Sequence, residues 1–112
     1  MNQQKLTQVV TTITSAGAQC ALRTAEEVAV RMGLAVSIAV VDNVGNLVSF
    51  LRTGNACVTS IEASIRKART SANLSLPTKA LEDLLHGGLT SLLTFEFISP
   101  SQGGVPIIVD GV

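Results

Sequence analysis

The sequence predicts one α+β domain of the profilin-like type, an antiparallel sheet flanked by helices, with a long helix at its N-terminal end. Three observations predict this class: a helical apolar spacing in the first third of the chain, two β-branched runs around a turn, and two further helical segments after them. The chain has 112 residues, an ordinary size for a single domain, and we treat residues 1–112 as one unit.

The long first helix is predicted from apolar and small residues that recur at steps of three and four between Leu6 and Met32. Gly33 follows as a natural C-terminal stop. Cys20 and Met32 fall within the repeating pattern, so we expect them to pack in the interior. Cys57 is likewise expected to be a buried or half-buried thiol.

The hairpin is the strongest β signal in the chain. Ala35 to Val41 is rich in β-branched residues, and the next five residues, Asp-Asn-Val-Gly-Asn, form a turn sequence. Leu47 to Leu51 then resumes the strand character. This pattern predicts two strands joined by a short loop.

Two further helices are predicted after the hairpin. Thr59 and Glu62 have the spacing of a capping box, which satisfies the free amides of a helix start. Pro77 is expected to open a shorter third helix, and the glycines at 87 and 88 to end it. The inward positions of this third helix are expected to be leucines, namely Leu81, Leu84 and Leu85.

The last third of the chain carries weaker signals. Residues 89–97 fit either a strand or a short helix, Gly103-Gly104 reads as a loop, and Val105 to Val109 as another strand. Asp110-Gly111 is a strong hairpin signal that only Val112 follows. We therefore expect the natural chain to continue into a returning strand, since an open edge is a hazard that proteins avoid.

The composition excludes some classes of function. Eight basic residues balance eight acidic ones, which leaves no excess charge to neutralise a nucleic-acid backbone. The longest apolar stretch, Leu34 to Val41, is far shorter than the roughly 20 residues of a membrane-spanning helix, and no secretion signal precedes it. A cytoplasmic protein is expected. With 46% apolar and only 14% charged residues, we also expect self-association.

Several short runs together resemble the GlcG-like family, which includes the haem-binding HbpS proteins and the C-terminal domain of PduO. The runs are Ser-Ile-Ala-Val-Val-Asp at 37–42, Gly45 with Leu47, Arg52, Lys-Ala-Arg-Thr-Ser-Ala at 67–72, Thr78, Gly-Gly-Val-Pro at 103–106, and Asp110-Gly111. They follow the family's order and spacing over nearly the whole chain. The overall character is most similar to the PduO C-terminal domain.

The resemblance implies a profilin-like fold, self-association and, for several members, haem. In PduO the domain follows a cobalamin adenosyltransferase domain, which implies an accessory role in cobalamin-dependent 1,2-propanediol use, within a bacterial microcompartment. Nothing in this chain resembles the catalytic half. Three departures stand out. The family's last strand and helix after Asp110-Gly111 are missing, Arg52-Thr53-Gly54 replaces a more usual Arg-Met-Asp, and no family-wide histidine corresponds to His86.

The role of His86 must therefore be argued from chemistry. Haem iron takes axial ligands mainly from His, Met, Cys and Tyr, and this chain has no Tyr and one His. His86 ends the third predicted helix just before two glycines, so its ring can project past the helix. Leu85 and Leu89 would supply an apolar rim. Because each chain has one histidine, a second axial imidazole would come from another subunit across a two-fold axis, with haem between the subunits.

Lys67 and Arg52 are the residues expected to pair with haem propionates or another anion, together with Lys79. Lys67 is the best candidate because it lies in a family-matching run. Each is more simply a solvated charge, just as His86 is more simply an exposed residue at a helix end.

Two alternatives to haem binding stay open, and no catalytic residue is assigned. One is a small-molecule enzyme with a pocket near the Asp42 turn, Arg52, Lys67 and the Gly103-Gly104 loop, where Lys67 would act as a base or form a Schiff base. A serine nucleophile would need His86, with Asp83 as orienting carboxylate. The other alternative is a cofactor-free module that docks or scaffolds a partner.

Overall fold

A computed structural model describes residues 4–112. Its elements are helices α1, α2 and α3, strands β1 and β2, and one 3-10 helix. Their bounds are α1 Ser15–Arg31, β1 Ser37–Val41, β2 Leu47–Arg52, α2 Thr59–Leu74, α3 Thr78–His86 and the 3-10 helix Thr90–Thr94. Both α1 and α2 pack on the antiparallel strand pair. The predicted α+β class, with helices flanking an antiparallel sheet, is confirmed.

The predicted hairpin is also confirmed. β1 and β2 are antiparallel, Ser37 lies opposite Arg52, and the register shifts by a bulge near Val41. The side chain of Asp42 holds the connecting turn, because its Oδ1 accepts the backbone N–H groups of Val44 at 3.0 Å and Asn46 at 2.9 Å. The local turn chemistry that predicted the hairpin is therefore what stabilises it.

The first helix begins at Ser15 instead of Leu6, so the predicted helix was wrong over its first turns. Residues 4–14, which we call the N-terminal arm, form neither helix nor strand. Seven of the nine residues from 6 to 14 are β-branched, and these side chains lose rotamer freedom in a helix. Thr14 then caps α1, since its Oγ1 accepts the Gly17 N–H at 3.0 Å.

The capping box predicted at Thr59 and Glu62 is not formed. α2 begins at Thr59 itself, and the residue at its cap position, Val58, makes no side-chain hydrogen bond. The Thr59 hydroxyl lies 3.3 Å from the Sγ of Cys57 instead. A threonine one position inside the helix cannot cap it, because capping geometry requires a non-helical residue.

α3 has the predicted start after Pro77 and the predicted end before the two glycines. Leu81 is buried and Leu85 is half-buried, but Leu84 is 50% exposed, so its inward placement was wrong. A helix of nine residues that contacts its neighbours along one side covers only a narrow stripe, and Leu84 falls outside it. The ambiguous segment 89–97 contains the 3-10 helix, with Leu92 buried.

The strand predicted at Val105–Val109 is not formed, because no other strand of the described chain pairs with this segment. The turn after it is confirmed. Asp110 and Gly111 have φ of 52° and 78°, and Val109 and Val112 exchange both backbone hydrogen bonds, at 2.9 and 3.0 Å. Two successive positive φ values with reciprocal bonds define the two-residue hairpin turn that Asp-Gly favours.

Apolar surface is poorly covered within one chain. The buried apolar residues are Ala18, Ala29, Val40, Ala56, Leu81 and Leu92. Cys20, Cys57 and Met32 are exposed, so their expected burial was wrong. The radius of gyration is 16.1 Å, against about 13 Å for a compact domain near this length. Within residues 4–112, none of the helices combines the length and apolar character needed to cross a membrane.

Candidate functional site

Several of the runs that carry the family resemblance meet where α2, α3 and the 103–104 loop come together. Thr78, fully buried at the start of α3, is joined to Gly104 by backbone and side-chain hydrogen bonds. Gly104 lies so close to the carbonyl group of Lys67 that a Cβ on this glycine would overlap it. A glycine at position 104 is therefore required by a backbone contact.

Two buried hydroxyls of α2 complete this junction. The Oγ1 of Thr70 donates to the carbonyl of Arg66 at 2.7 Å and accepts the N–H of Ser99 at 3.0 Å. The Oγ of Ser71 donates to the carbonyl of Leu76 at 2.7 Å. These bonds tie the segment near residue 99 and the α2–α3 connection to α2. The family-matching Thr-Ser pair thus has a structural role that the sequence alone did not reveal.

Gly45 and Arg69, also in matching runs, contact each other across the hairpin turn. The Nε of Arg69 donates to the carbonyl of Gly45 at 3.1 Å, and a Cβ on Gly45 would lie 2.7 Å from the Arg69 Cγ. Gly45 has a φ of 92°, which other residues rarely adopt. The glycine lets the arginine side chain pass over the turn.

Lys67 is half-buried, with its aliphatic chain against Gly103. A Cβ on Gly103 would lie 3.3 Å from the Lys67 Cδ and 3.6 Å from its Nζ. Lys67 contacts this loop and Arg69 contacts the hairpin turn. Two residues along a helix are about 200° apart around its axis, so the two loops lie on nearly opposite sides of α2. The pocket expected to combine Lys67 with the Asp42 turn is therefore not assembled.

Arg52 is exposed at the end of β2. Its register partner Ser37 has its Oγ 2.7 Å from the Oγ of Ser60, in the first turn of α2. Lys67 lies seven residues further along α2, which corresponds to about 10 Å of helix. The two predicted anion-binding residues are thus separate.

His86 is exposed as the last residue of α3. Leu85 beside it is half-buried, while Leu84 and Leu89 are 50% and 44% exposed. Asp83 does not orient the imidazole; its Oδ1 pairs with the Nζ of Lys79 at 3.2 Å. The catalytic arrangement of serine, His86 and Asp83 is therefore not formed. Among the described residues, no three His, Cys, Asp or Glu side chains group as metal ligands.

Lys67 and His86 lie toward opposite ends of α3. The carbonyl of Lys67 lies against Gly104, which is bonded to Thr78, the first residue of the helix. His86 is eight residues further on, about 12 Å along the axis. One ligand could contact both only by extending along the whole of α3.

A groove of about 890 Å³, which sequence reasoning missed, lies elsewhere in the molecule. It is bounded by β1, by α2, by residues 105–112 and by the end of the N-terminal arm. None of Arg52, Lys67, Leu85, His86 or Leu89 lines it. No local pattern predicted it, because the groove is formed by segments that are distant in the sequence.

Comparison with known proteins connects this architecture to a family. Residues 13–112 match the family described as "Haem degrading protein HbpS-like". The chain belongs to the HbpS-like family. It is 35% identical over 86 residues to protein GlcG of Escherichia coli K12, a match that covers 77% of this chain and 64% of GlcG. The match therefore spans less than two thirds of GlcG's length.

Other relatives extend the likeness over most of the chain. A 15.0 kDa Citrobacter freundii protein from the dhaT–dhaS intergenic region is 31% identical over 109 residues, covering 93% of this chain and 76% of that protein. The crystal structure of Klebsiella pneumoniae ORFY superposes with a TM-score of 0.90 at 30% identity, over 98% of this chain and 79% of ORFY. HbpS gives 0.86 at 32% identity, over 99% and 78%. The family's description links this chain to haem at family level.

Proposed function

We propose that this HbpS-like domain binds haem, with His86 as an axial ligand and a second His86 supplied by another copy of the chain. The observation that supports the proposal is the placement of the sequence's one histidine. It is exposed at the end of α3, three residues before Leu89, whose side chain is also exposed. An accessible imidazole beside apolar surface has the chemistry that a porphyrin requires from one side.

The residues around His86 would cover one face of the haem and would not enclose it in a pocket. Leu85 and Leu89 would contact the porphyrin, and His86 would hold the iron through a neutral ring nitrogen. Because His86 and Leu89 are exposed in one chain, a second copy would cover the opposite face of the haem. Haem would supply iron for the two imidazoles to bind, and it would thereby link two copies.

Lys67 and Arg52 are proposed as partners for carboxylate groups, with Lys67 the stronger candidate. Lys67 is half-buried with its chain held against Gly103, and it forms no ion pair within residues 4–112. Arg52 is exposed at a strand end, where an ion pair contributes little. Since Lys67 is remote from His86, its carboxylate partner need not be the haem that His86 binds.

We further propose that the chain works in the same setting as the PduO C-terminal domain. This proposal is supported by the resemblance of the short sequence runs. There the chain would serve as an accessory to a corrinoid adenosyltransferase in cobalamin-dependent 1,2-propanediol use, in the cytoplasm or within a microcompartment. Co-purification with a PduO-type adenosyltransferase domain tests this setting separately from haem binding.

The test of haem binding is a hemin titration of the full chain, followed between 300 and 700 nm. We expect a sharp Soret band, low-spin visible bands and saturation at one haem for two chains. His86→Ala should lose the low-spin spectrum, whereas Glu27→Ala, an exposed change on α1, should keep it. No spectral change with the wild-type chain would overturn the proposal.

Exposed thiols require a further control, because Cys20 and Cys57 are both accessible and cysteine can ligate haem. The doubly substituted variant Cys20→Ser, Cys57→Ser should titrate as the wild type does. A spectrum that persists in His86→Ala and disappears in the serine variant would transfer the ligand role from His86 to a cysteine.

The second candidate function is a cofactor-free assembly module, favoured by the large apolar side chains that one chain leaves exposed. Light scattering separates the two functions. Association that requires hemin and is lost in His86→Ala supports the haem-bridged dimer, while hemin-independent association without spectral change supports the assembly module.

A further inference from the structure

The chain carries three phenylalanines, and two of them lie side by side on its surface. Phe95 and Phe97 are 46% and 65% exposed, and their ring centroids are 6.2 Å apart in an edge-to-face arrangement. Leu93, two residues before Phe95 in the chain, is 66% exposed. We call these three residues the aromatic patch. Phenylalanine is normally among the most buried residue types, so an exposed pair of rings indicates an interaction surface.

The backbone beneath the aromatic patch is fixed to α2. The Nη2 of Arg66 donates to the carbonyl of Glu96 at 2.6 Å. The Oγ1 of Thr70 lies 3.4 Å from the carbonyl oxygen of Phe97 and accepts the N–H of Ser99 at 3.0 Å. These bonds hold the segment that carries the rings, so a partner would meet a surface that is already formed and would not have to order it.

The aromatic patch lies on the other side of α2 from the groove. Arg66 and Thr70 contact the segment of the patch, whereas Ala68 and Ala72 line the groove together with residues 105–112. Successive residues are about 100° apart around a helix, so positions two apart point in nearly opposite directions. The aromatic patch is therefore a separate surface from the groove.

Two opposite charges accompany the aromatic patch. Glu96 stands between the two phenylalanines in the sequence, and both Glu96 and Arg66 are exposed. The Arg66 guanidinium bonds the main chain of Glu96, and neither charge forms an ion pair within residues 4–112. Because a guanidinium has five N–H donors, one bond to a carbonyl leaves donors for a carboxylate. Such a surface is complementary to one that presents the same two charges in exchanged positions.

A second copy of the chain, related by a two-fold axis, presents that surface. In a two-fold contact, residue i of one copy meets residue j of the other, and j meets i. We propose that two copies associate through their aromatic patches, with Arg66 of each copy paired with Glu96 of the other. The contact has an aromatic centre and a charged rim, as protein interfaces generally do. It involves neither haem nor His86, so it is distinct from the proposed haem bridge.

The size of the aromatic patch indicates a reversible contact. The two phenylalanines leave roughly 220 Å² exposed in each copy, about a quarter of the surface that one partner buries in a standard interface. Leu93, the two charges and the polar residues around them would supply the remainder. We therefore expect a dimer that dissociates on dilution.

Sedimentation of the full chain without hemin, over a range of concentrations, tests the contact. Arg66→Glu and Glu96→Arg should each weaken dimerisation about tenfold or more, because each places like charges opposite one another. Arg31→Glu and Glu27→Arg, the matched reversals at exposed sites on α1, should dimerise as the wild type does. A wild-type monomer at every concentration, or reversals that weaken the dimer equally at both places, would overturn the proposal.

A change at the aromatic centre tests the patch independently of the charges. Phe97→Asp should also weaken dimerisation about tenfold or more, because the contact would desolvate the new carboxylate. Val30→Asp, a matched change at a 70% exposed site on α1, should leave dimerisation unchanged. A Phe97→Asp dimer of wild-type affinity would show that the rings lie outside the contact.

Mixing the two reversed chains tests the two-fold pairing itself. A chain with Arg66→Glu carries two carboxylates beside the patch, and a chain with Glu96→Arg carries two guanidinium groups. Both cross-contacts of a mixed dimer join opposite charges, so we expect the equimolar mixture to dimerise more tightly than either chain alone. Mixing cannot restore the bond from Arg66 to the Glu96 carbonyl within one chain, so recovery separates pairing from a local folding defect. A mixture as monomeric as its components would contradict the pairing.

Discussion

Thr78 and Gly104 are joined by hydrogen bonds that run in opposite directions. The N–H of Gly104 donates to the Thr78 Oγ1 at 2.9 Å, and the N–H of Thr78 donates to the Gly104 carbonyl at 2.9 Å. Both residues are buried, so neither pair can be replaced by water without opening the junction. This pair fastens the start of α3 to the loop that carries the Gly-Gly sequence.

Replacing Thr78 by valine should lower the free energy of unfolding by about 1–3 kcal/mol. Valine keeps the shape but removes the hydroxyl, which leaves the buried Gly104 N–H without an acceptor. Thr78→Ser keeps the hydroxyl and should cost about 1 kcal/mol for the lost methyl group. Urea denaturation of the two variants measures their free energies of unfolding. A serine variant less stable than the valine variant would contradict the prediction.

Gly104→Ala should be destabilising by about 1–3 kcal/mol, because the new Cβ meets the backbone carbonyl of Lys67, which cannot move independently. Gly87→Ala is the matched control. Gly87 has a φ of −76°, and a Cβ on it would lie no closer than 3.4 Å to its neighbours, an ordinary van der Waals distance. Alanine there should therefore change the free energy of unfolding by less than about 0.5 kcal/mol. Equal stabilities of the two alanine variants, measured by urea denaturation, would refute the close contact.

Elements whose signals are local were predictable from the sequence. The hairpin follows from the turn around Asp42, and the Asp110-Gly111 turn forms with the φ values that its residues favour. Both depend on neighbouring residues only. Likewise, α3 lies between a proline and two glycines that mark its ends in any context.

Features that depend on distant partners were not predictable. Val105–Val109 has the composition of a strand, yet a strand requires an adjacent edge, which periodicity does not reveal. The exposure of Cys20 and Leu84 depends in the same way on what packs against each helix. For the site, the contact of Lys67 with the Gly103 loop was expected. The separation of Lys67 from Arg52 was not, because it depends on where the strand pair that carries Arg52 packs along α2.

Asp42 should make the stability of the fold sensitive to acid. The backbone N–H of Asn46, and less strongly that of Val44, lowers the pKa of the Asp42 carboxyl below its ordinary value. A lowered pKa in the folded state means that the stabilisation is complete above the unfolded value of about 3.9 and is lost as the pH falls through the folded pKa.

The measurement is urea denaturation of the wild type and Asp42→Asn between pH 7 and pH 3. We expect the wild type to be the more stable at pH 7, with the gap narrowing below about pH 4 as the carboxylate is protonated. A gap that stays constant over this range would show that the charge of Asp42 does not contribute.

Cys57 should react with alkylating reagents at a lower pH than an ordinary thiol. The Thr59 hydroxyl, 3.3 Å from its Sγ, and then the backbone N–H of Ser60 lower the pKa of the Cys57 thiol. The thiolate is the nucleophile, so a lower pKa raises the reactive fraction near neutral pH.

In a Cys20→Ser background, the pH midpoint of iodoacetamide labelling of Cys57 should lie below the pKa of about 8.5 of a free cysteine. Thr59→Val removes the hydroxyl and should raise that midpoint. An unchanged midpoint would mean that the hydroxyl donates nothing to the thiolate, and that the 3.3 Å contact has the sulfur as its donor.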